Sequence, residues 1–328
     1  MENFAIFIRN PQAFGTKSYR LRRRIPGAGT TRRSLPMDTI HLDLDDALPD
    51  RNRYKTAKRN GDFTIDQDWG SYSDAEHDRW GRLYGRMERI LPGRACQPFL
   101  DALETLRLPK TRIPDMAELS ARLEPVTGWR VVPVAGLVPD DVFFEHLANR
   151  RFPAAAFIRP ERELDYLQEP DIFHDIFGHV PLLANSVFAA FMRAYGNAGV
   201  RAAKQGALKN LARLYWYTVE FGLVKSADGI RLFGAGLMSS SAESLYALED
   251  AAPHRIRFDL ERVMRTDYII DAFQQSYFVI ESFERLQAAC AENFAPLYSR
   301  LAKLRSLQPS EVLRSDRLVD NDGPEKNL

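Results

Sequence analysis

Residues Glu169–Leu183 read EPDIFHDIFGHVPLL. Pro170 suits the first turn of a helix, and Asp171 beside it favours the positive end of the helix dipole. His174 and His179 stand five residues apart, with Gly178 between them and Pro181 shortly after. Five residues of ideal α-helix turn through about 500°, leaving the two imidazoles about 140° apart. They converge on one atom only where the helix distorts or ends, and the Gly/Pro punctuation offers such a place. The spacing is not that of the zinc proteases, where the histidines are four apart and Glu follows the first; here Asp175 follows it. Two structural histidines are the plain alternative.

Tyr215–Gly222 reads YWYTVEFG, an aromatic helical run whose sole acid is Glu220. Leu211, Leu214, Tyr215, Thr218 and Gly222 form one helical stripe, with Glu220 beside it and Trp216 one turn earlier. A carboxylate in such surroundings must be paired, protonated or bound to metal, because desolvating it alone is too costly. Two imidazoles and one carboxylate without a nearby cysteine make the ligand set of non-haem Fe(II) oxygenases. Zn2+ hydrolases can use the same donors. A third segment, Gly234–Ser241 (GAGLMSSS), reads as a small-residue turn that lets a ligand approach the backbone closely, or as a loop before a Ser-capped helix.

Helical periodicity predicts helices over Ala75–Leu91, Cys96–Leu106 and Met116–Leu123, the first with Trp80, Leu83, Tyr84, Met87 and Ile90 inward. Strands are expected at Trp129–Val134 and Ala154–Arg159, flanking a short helix at Asp141–Asn149. Beyond Pro170 the chain reads as successive helices, with a hairpin-like break at Ala227–Phe233 and one long helix over Gln275–Leu304. The fold class is therefore mostly α with a few short strands. It divides into a basic, flexible arm (1–60), one domain (61–305) and a polar, frayed tail (306–328).

The 328 residues balance 45 Lys+Arg against 44 Asp+Glu, a net charge of +1 that gives no electrostatic reason to expect nucleic acid or membrane. No segment approaches the ~18 apolar residues of a membrane helix. Two cysteines, Cys96 and Cys290, exclude a disulfide framework and place the chain in a reducing, cytoplasmic compartment. Residues 1–34 are uneven, with eight basic residues against Glu2 alone. A solvated extension is the first reading of that arm, with a transit peptide or nucleic-acid arm as alternatives.

Together EPDxxHDxxGHVPLL, LYWYTVEFGL and GAGLxSS resemble the pterin-dependent aromatic amino acid hydroxylases, particularly their bacterial branch, from about Trp69 to Tyr298. The resemblance implies a single catalytic domain, a helical basket around a non-haem iron, with His174, His179 and Glu220 as ligands. It implies a pterin site at Val134, Gly136, Leu137 and Val138, with Phe143 as the stacking ring. Asp175 stands where the family has Glu. For the amino acid it implies Arg159 as carboxylate clamp, oriented by Asp171, with Pro170, Trp216, Phe221, Gly236, Ser239 and Ser240 around the substrate. Leu167 replaces a Thr of the animal enzymes, so the polar contact known there does not carry over. Trp216, where tryptophan-hydroxylating relatives carry Phe, and Ile270, where tyrosine hydroxylases carry Asp, both imply phenylalanine.

The activity implied is that of a phenylalanine 4-monooxygenase, the first step of phenylalanine catabolism, converting L-phenylalanine to L-tyrosine. Its partners are O2, Fe(II) and a tetrahydropterin such as tetrahydrobiopterin, because aromatic hydroxylation needs two electrons that these side chains cannot supply. A monomer is the default. Hydroxylation at the meta position, or of tryptophan, and a binding protein retaining the fold are the alternatives.

Overall fold

The computed structural model describes residues 53–165, 169–290 and 293–320, with the backbone of 326–327. The basic stretch 1–34 and Leu167 lie outside the described residues. Helix α1 spans Asp74–Ile90, opened by a capping box in which Ser73 and Glu76 satisfy each other's backbone N–H groups. Helices α2 (Gln97–Leu106) and α3 (Met116–Thr127) follow; Asp115 caps α3, and Gly128 in the left-handed region ends it. These match the expected helices to within a few residues, because their apolar periodicity is local.

Strand β1 (Arg130–Val134) pairs in parallel with β2 (Arg151–Ala155), joined by α4 (Asp140–Ala148). The second strand lies earlier than the Ala154–Arg159 read from the sequence. After Ala156, whose N still donates to the Val134 carbonyl, the chain turns to other partners: the Phe157 carbonyl accepts from Ile172 N, and Arg159 N donates to the Asp171 carboxylate.

The two histidines sit in a π-helix, Phe173–His179. A short 3-10 turn (Pro181–Ala184) leads to α5 (Ser186–Lys204), capped by Asn185. Gly196 and Gly199 let α5 lie directly against α4. A Cβ on Gly199 would fall 1.9 Å from the Phe144 ring, and one on Gly196 would fall 2.4 Å from Ala148 N. Helix α6 (Leu208–Tyr215) passes straight into a second π-helix, Trp216–Glu220. The expected break is a hairpin of β3 (Leu223–Ser226) and β4 (Gly229–Leu232), turning at Ala227-Asp228.

Gly234–Ser241 is helical rather than a turn: α7 covers Ala235–Ser239, and Ser240 then caps α8 (Ser241–Glu249). The remaining elements are β5 (His254–Arg257), α9 (Leu260–Met264), β6 (Ser276–Ile280), α10 (Phe283–Cys290), α11 (Ala295–Leu301), β7 (Arg317–Leu318) and β8 (Lys326–Asn327). They complete a mixed sheet of order β4-β3-β6-β5-β7-β8, parallel at β3–β6 and β6–β5. The long helix expected over Gln275–Leu304 is therefore absent. Its first part, SYFVI, is a strand buried on both faces. Such a strand is apolar throughout, so its periodicity cannot be told from that of a buried helix.

The packed unit is wider than 61–305. Tyr54, in the expected arm, is 3% exposed and packs on Tyr72. The tail is not frayed over its described length. Arg262, 5% exposed, donates to both oxygens of Asp316 (3.0 and 3.2 Å) and to the Glu311 carbonyl. Arg213 donates to Ser306 Oγ, Leu307 is buried, and Val319 N donates to the Arg255 carbonyl. Polar sequence read as solvated is here the partner of buried arginines. No single helix among the described residues is long and apolar enough to cross a membrane.

Asp316→Ala would leave Arg262 buried without its counter-ion. Denaturant unfolding is expected to show a loss of about 3–5 kcal/mol. A frayed tail would show a change within about 0.5 kcal/mol.

Candidate active site

The π-helix resolves the five-residue spacing. Its i→i+5 hydrogen bonds widen the turn and so narrow the angle of about 140° that an α-helix would set between residues five apart, and the His174 and His179 rings come to 4.9 Å between centroids, edge to face. Phe173 and Phe177 point to the other side, stacked at 4.8 Å, and meet Trp80 and Tyr84 of α1 edge-on, each at 5.2 Å. Gly178, between the two histidines, lets α7 approach: a Cβ there would sit 2.8 Å from the Ala235 carbonyl.

The second π-helix ends at Glu220, with Phe221 N donating to the Trp216 carbonyl across five residues. Glu220 thereby reaches both imidazoles, Oε2 at 3.4 Å from His174 Nε2 and Oε1 at 3.2 Å from His179 Nε2. The two Nε2 atoms are 3.1 Å apart, and one donor atom from each of the three residues lies within 4.8 Å of the others. Ser239 Oγ donates to the Ala235 carbonyl, so its lone pair accepts from His174 Nδ1 at 2.9 Å. Nδ1 is thus a donor, which in the neutral ring leaves the Nε2 lone pair to serve a metal. Such a donor set fits one divalent ion. Burial alone would raise the Glu220 carboxyl, but the two imidazoles overcome it and hold Glu220 well below the usual carboxylate range.

Asp171, fully buried, joins this cluster to Arg159. Its Oδ2 accepts from Arg159 N and Nε and its Oδ1 from Arg159 Nη2, all at 2.8 Å, while Oδ1 also accepts from His174 N at 3.0 Å. Burial would raise its pKa; the guanidinium and the N–H donors together hold it below the ordinary value. Among the described residues, Nη1 of Arg159 makes no hydrogen bond, and Arg159 lines the cavity.

The cavity is about 610 Å³, within the range of small-molecule sites. Val134, Gly136, Leu137, Val138, Phe143 and Asp175 all line it, as do Pro170, Trp216, Phe221, Gly236, Ser239 and Ser240. Of the residues assigned from the sequence to the metal, the pterin or the amino acid, only Asp171 is absent from its wall, being spent on Arg159. Asp175 Oδ2 accepts from Ala155 N at 2.7 Å, which ties the π-helix to β2.

Several wall residues escaped the sequence reading. Phe152 lies 5.0 Å from the His179 ring. Glu243 and Gln274 line the cavity while hydrogen-bonded to each other, Gln274 N donating to Glu243 Oε1 at 3.1 Å. A lone Glu in an otherwise small and apolar stretch (SSSAESL) was the available signal for Glu243; Gln274 had none.

The chain matches the biopterin-dependent aromatic amino acid hydroxylase family over residues 37–306. It belongs to that family. It is 56% identical over 258 residues to the phenylalanine-4-hydroxylase of Caulobacter vibrioides, covering 79% of this chain and 88% of that one. With the enzyme of the same name from Ralstonia nicotianae it shares 54% identity, over 79% and 83% of the two chains. A crystal structure of phenylalanine hydroxylase from Chromobacterium violaceum bound to cobalt is similar with a TM-score of 0.81 and 50% identity, over 83% of this chain and 99% of that one.

Burial pushes the Glu243 carboxyl up from 4.5 to about 7, against the Gln274 N–H and the Tyr277 hydroxyl that favour its charged form. The folded chain then keeps a proton that the unfolded chain releases above pH ~4.5, so stability falls as pH rises through that window. The loss amounts to about 3 kcal/mol. Glu243→Gln removes this term, and denaturant unfolding at pH 5 and pH 8 should find the variant gaining on the parent at the higher pH. An equal difference at both pH values would contradict a raised Glu243.

Proposed function

We propose that the protein hydroxylates L-phenylalanine at the 4-position to give L-tyrosine, using O2, a tetrahydropterin and an iron held by His174, His179 and Glu220. The observation that carries this reading is the two-imidazole, one-carboxylate cluster on the wall of a cavity that also presents a buried guanidinium. Relatives at 54–56% identity bear the name of that activity. Iron and a tetrahydropterin, when bound, supply O2 activation and the two electrons that the side chains lack.

The chain's own residues do the rest. Arg159, oriented on two sides by Asp171, offers Nη1 to the carboxylate of the amino acid. A guanidinium fixed in this way suits a planar anion better than a mobile ammonium does. Pro170, Trp216 and Phe221, with Gly236 leaving room, surround the aromatic ring. Trp216 and Phe221 rings stand 4.8 Å apart, so the wall is continuous and apolar. Ser240, beside Ser239, belongs to the same pocket.

On the other side of the cavity, the Val134–Val138 segment and the half-buried Phe143 form the pterin site. Its backbone groups serve the pterin edge, and Phe143 serves its face. Asp175 approaches the pterin from the ligand helix while anchored on Ala155 N. Holding the amino acid, the pterin and the metal in one cavity of limited volume is worth more than any single contact, because it replaces improbable encounters with fixed geometry. Apolar walls also keep bulk water from the reacting atoms. The setting proposed for this chemistry is the cytoplasm.

The test is tyrosine formation from phenylalanine with Fe(II), O2 and tetrahydrobiopterin, with chromatography separating para- from meta-tyrosine. The parent is expected to yield para-tyrosine, and Glu220→Ala neither product nor stoichiometric iron. No tyrosine from the iron-loaded parent would sink the assignment, and full activity in Glu220→Ala would sink the ligand set. Arg159→Lys keeps the charge but loses the fork, so KM for phenylalanine should rise roughly 10- to 100-fold, in line with about 1.4–2.8 kcal/mol of binding. An unchanged KM would remove Arg159 from substrate recognition.

A further inference from the structure

Trp216 occupies the wall between the ligand helix and the segment Tyr268–Gln274, and its orientation is held from two directions. Its indole stacks on Tyr268 at 4.4 Å and 18°, and its Nε1 donates to Gln274 Oε1 at 3.0 Å. A stack fixes the plane of a ring but leaves it free to slide; a hydrogen bond at the ring edge fixes where in that plane the ring sits.

Gln274 is suited to that task because its side-chain amide and its backbone N–H are all committed. It is 1% exposed. Its side-chain amide donates to the carbonyls of Ile269 at 2.7 Å and Ala272 at 3.4 Å, closing the bend 269–274 on itself. Its backbone N–H donates to Glu243 Oε1 at 3.1 Å, and Tyr277 OH donates to the same oxygen at 2.9 Å. The bend has no regular secondary structure and carries Ile270 (44% exposed) and Phe273 (43% exposed) on the rim of the cavity. Without an anchor, so apolar a segment would not hold one position at the surface.

We propose that Gln274 is a positioning residue for the amino-acid pocket: anchored through its backbone on Glu243, it sets the position of the Trp216 indole against the substrate ring. The role rests on the phenylalanine reading above and concerns a residue outside the metal, pterin and carboxylate sites. It accounts for a buried glutamine and a buried glutamate on the wall of a site whose chemistry needs neither.

The experiment compares the iron-loaded parent, whose tyrosine formation establishes the underlying reading separately, with Gln274→Met, Trp216→Phe and the double variant. Gln274→Met keeps the volume and removes the acceptor. Its KM for phenylalanine is expected to rise about tenfold, the equivalent of about 1.4 kcal/mol. kcat should stay within about threefold and iron content should not change. Trp216 emission, isolated by difference from Trp216→Phe, should shift to the red and lose its response to phenylalanine. In the Trp216→Phe background, Gln274→Met should raise KM by less than about twofold, because the two act through one contact. Parent-like KM and emission in Gln274→Met would overturn the proposal, as would the same tenfold rise in the Trp216→Phe background. Should Gln274→Met not fold, the indole 15N–H signal of Trp216 in the parent, assigned by its loss in Trp216→Phe, carries the test. Slow hydrogen exchange and a shift on adding phenylalanine support the proposal; rapid exchange overturns it.

Discussion

Two histidines five residues apart cannot face one point on a regular α-helix; here the helix carrying them closes its turns at i→i+5, and much of the domain serves that geometry. A π-helical turn is less favourable than an α-turn, so it persists where its surroundings hold it. Here the Phe173–Phe177 stack is clamped by Trp80 and Tyr84 on one side. On the other, Gly178 admits α7 so closely that Ser239 can reach His174. Asp175 ties the same turn to β2. The second π-helix, ending at Glu220, repeats the device, so both arms of the cluster depend on helices that leave the α geometry where they meet the cavity.

Asp171 converts this local arrangement into one connected site. Four donors share its two oxygens: three from Arg159 and the backbone N–H of His174. A buried carboxylate with so many charge-assisted bonds is rigid, and neither the guanidinium nor the first turn of the ligand helix can move without disturbing the other. The guanidinium proposed for the amino acid and the histidines proposed for the metal are thereby locked to a common frame. Gln274 and Glu243 extend the same economy to the far wall, where buried polar groups hold a bend that has no secondary structure of its own.

Legibility in the sequence followed the range of the forces involved. Helices such as Asp74–Ile90 and Met116–Thr127 were readable because caps and apolar spacing are local signals. Strand β6 was not: SYFVI is apolar on both faces, and only its neighbours β3 and β5 make it a strand. The tail misled for the converse reason. Its polar residues look solvated, yet Asp316 is held by Arg262, 54 residues away. Within the site, His174, His179 and Glu220 stood out by residue type and motif. Phe152 and Gln274 did not, since a phenylalanine or a glutamine acquires a role only from what it faces.

The sequence by itself determined the donor set and its order along the chain: two imidazoles flanking a glycine, one carboxylate in an aromatic run, and an Arg twelve residues before its Asp. These are chemical identities, and covalent structure carries them. Only the tertiary structure decided that the two histidines share a face, since an α-helix would have set them about 140° apart and long-range packing selects the π form. It also decided that Ser239 fixes the tautomer of His174, that Asp171 serves two masters, and that a glutamine near β6 reaches the indole of Trp216. Each of these depends on contacts between segments far apart in the chain, whose geometry no local pattern of residues records.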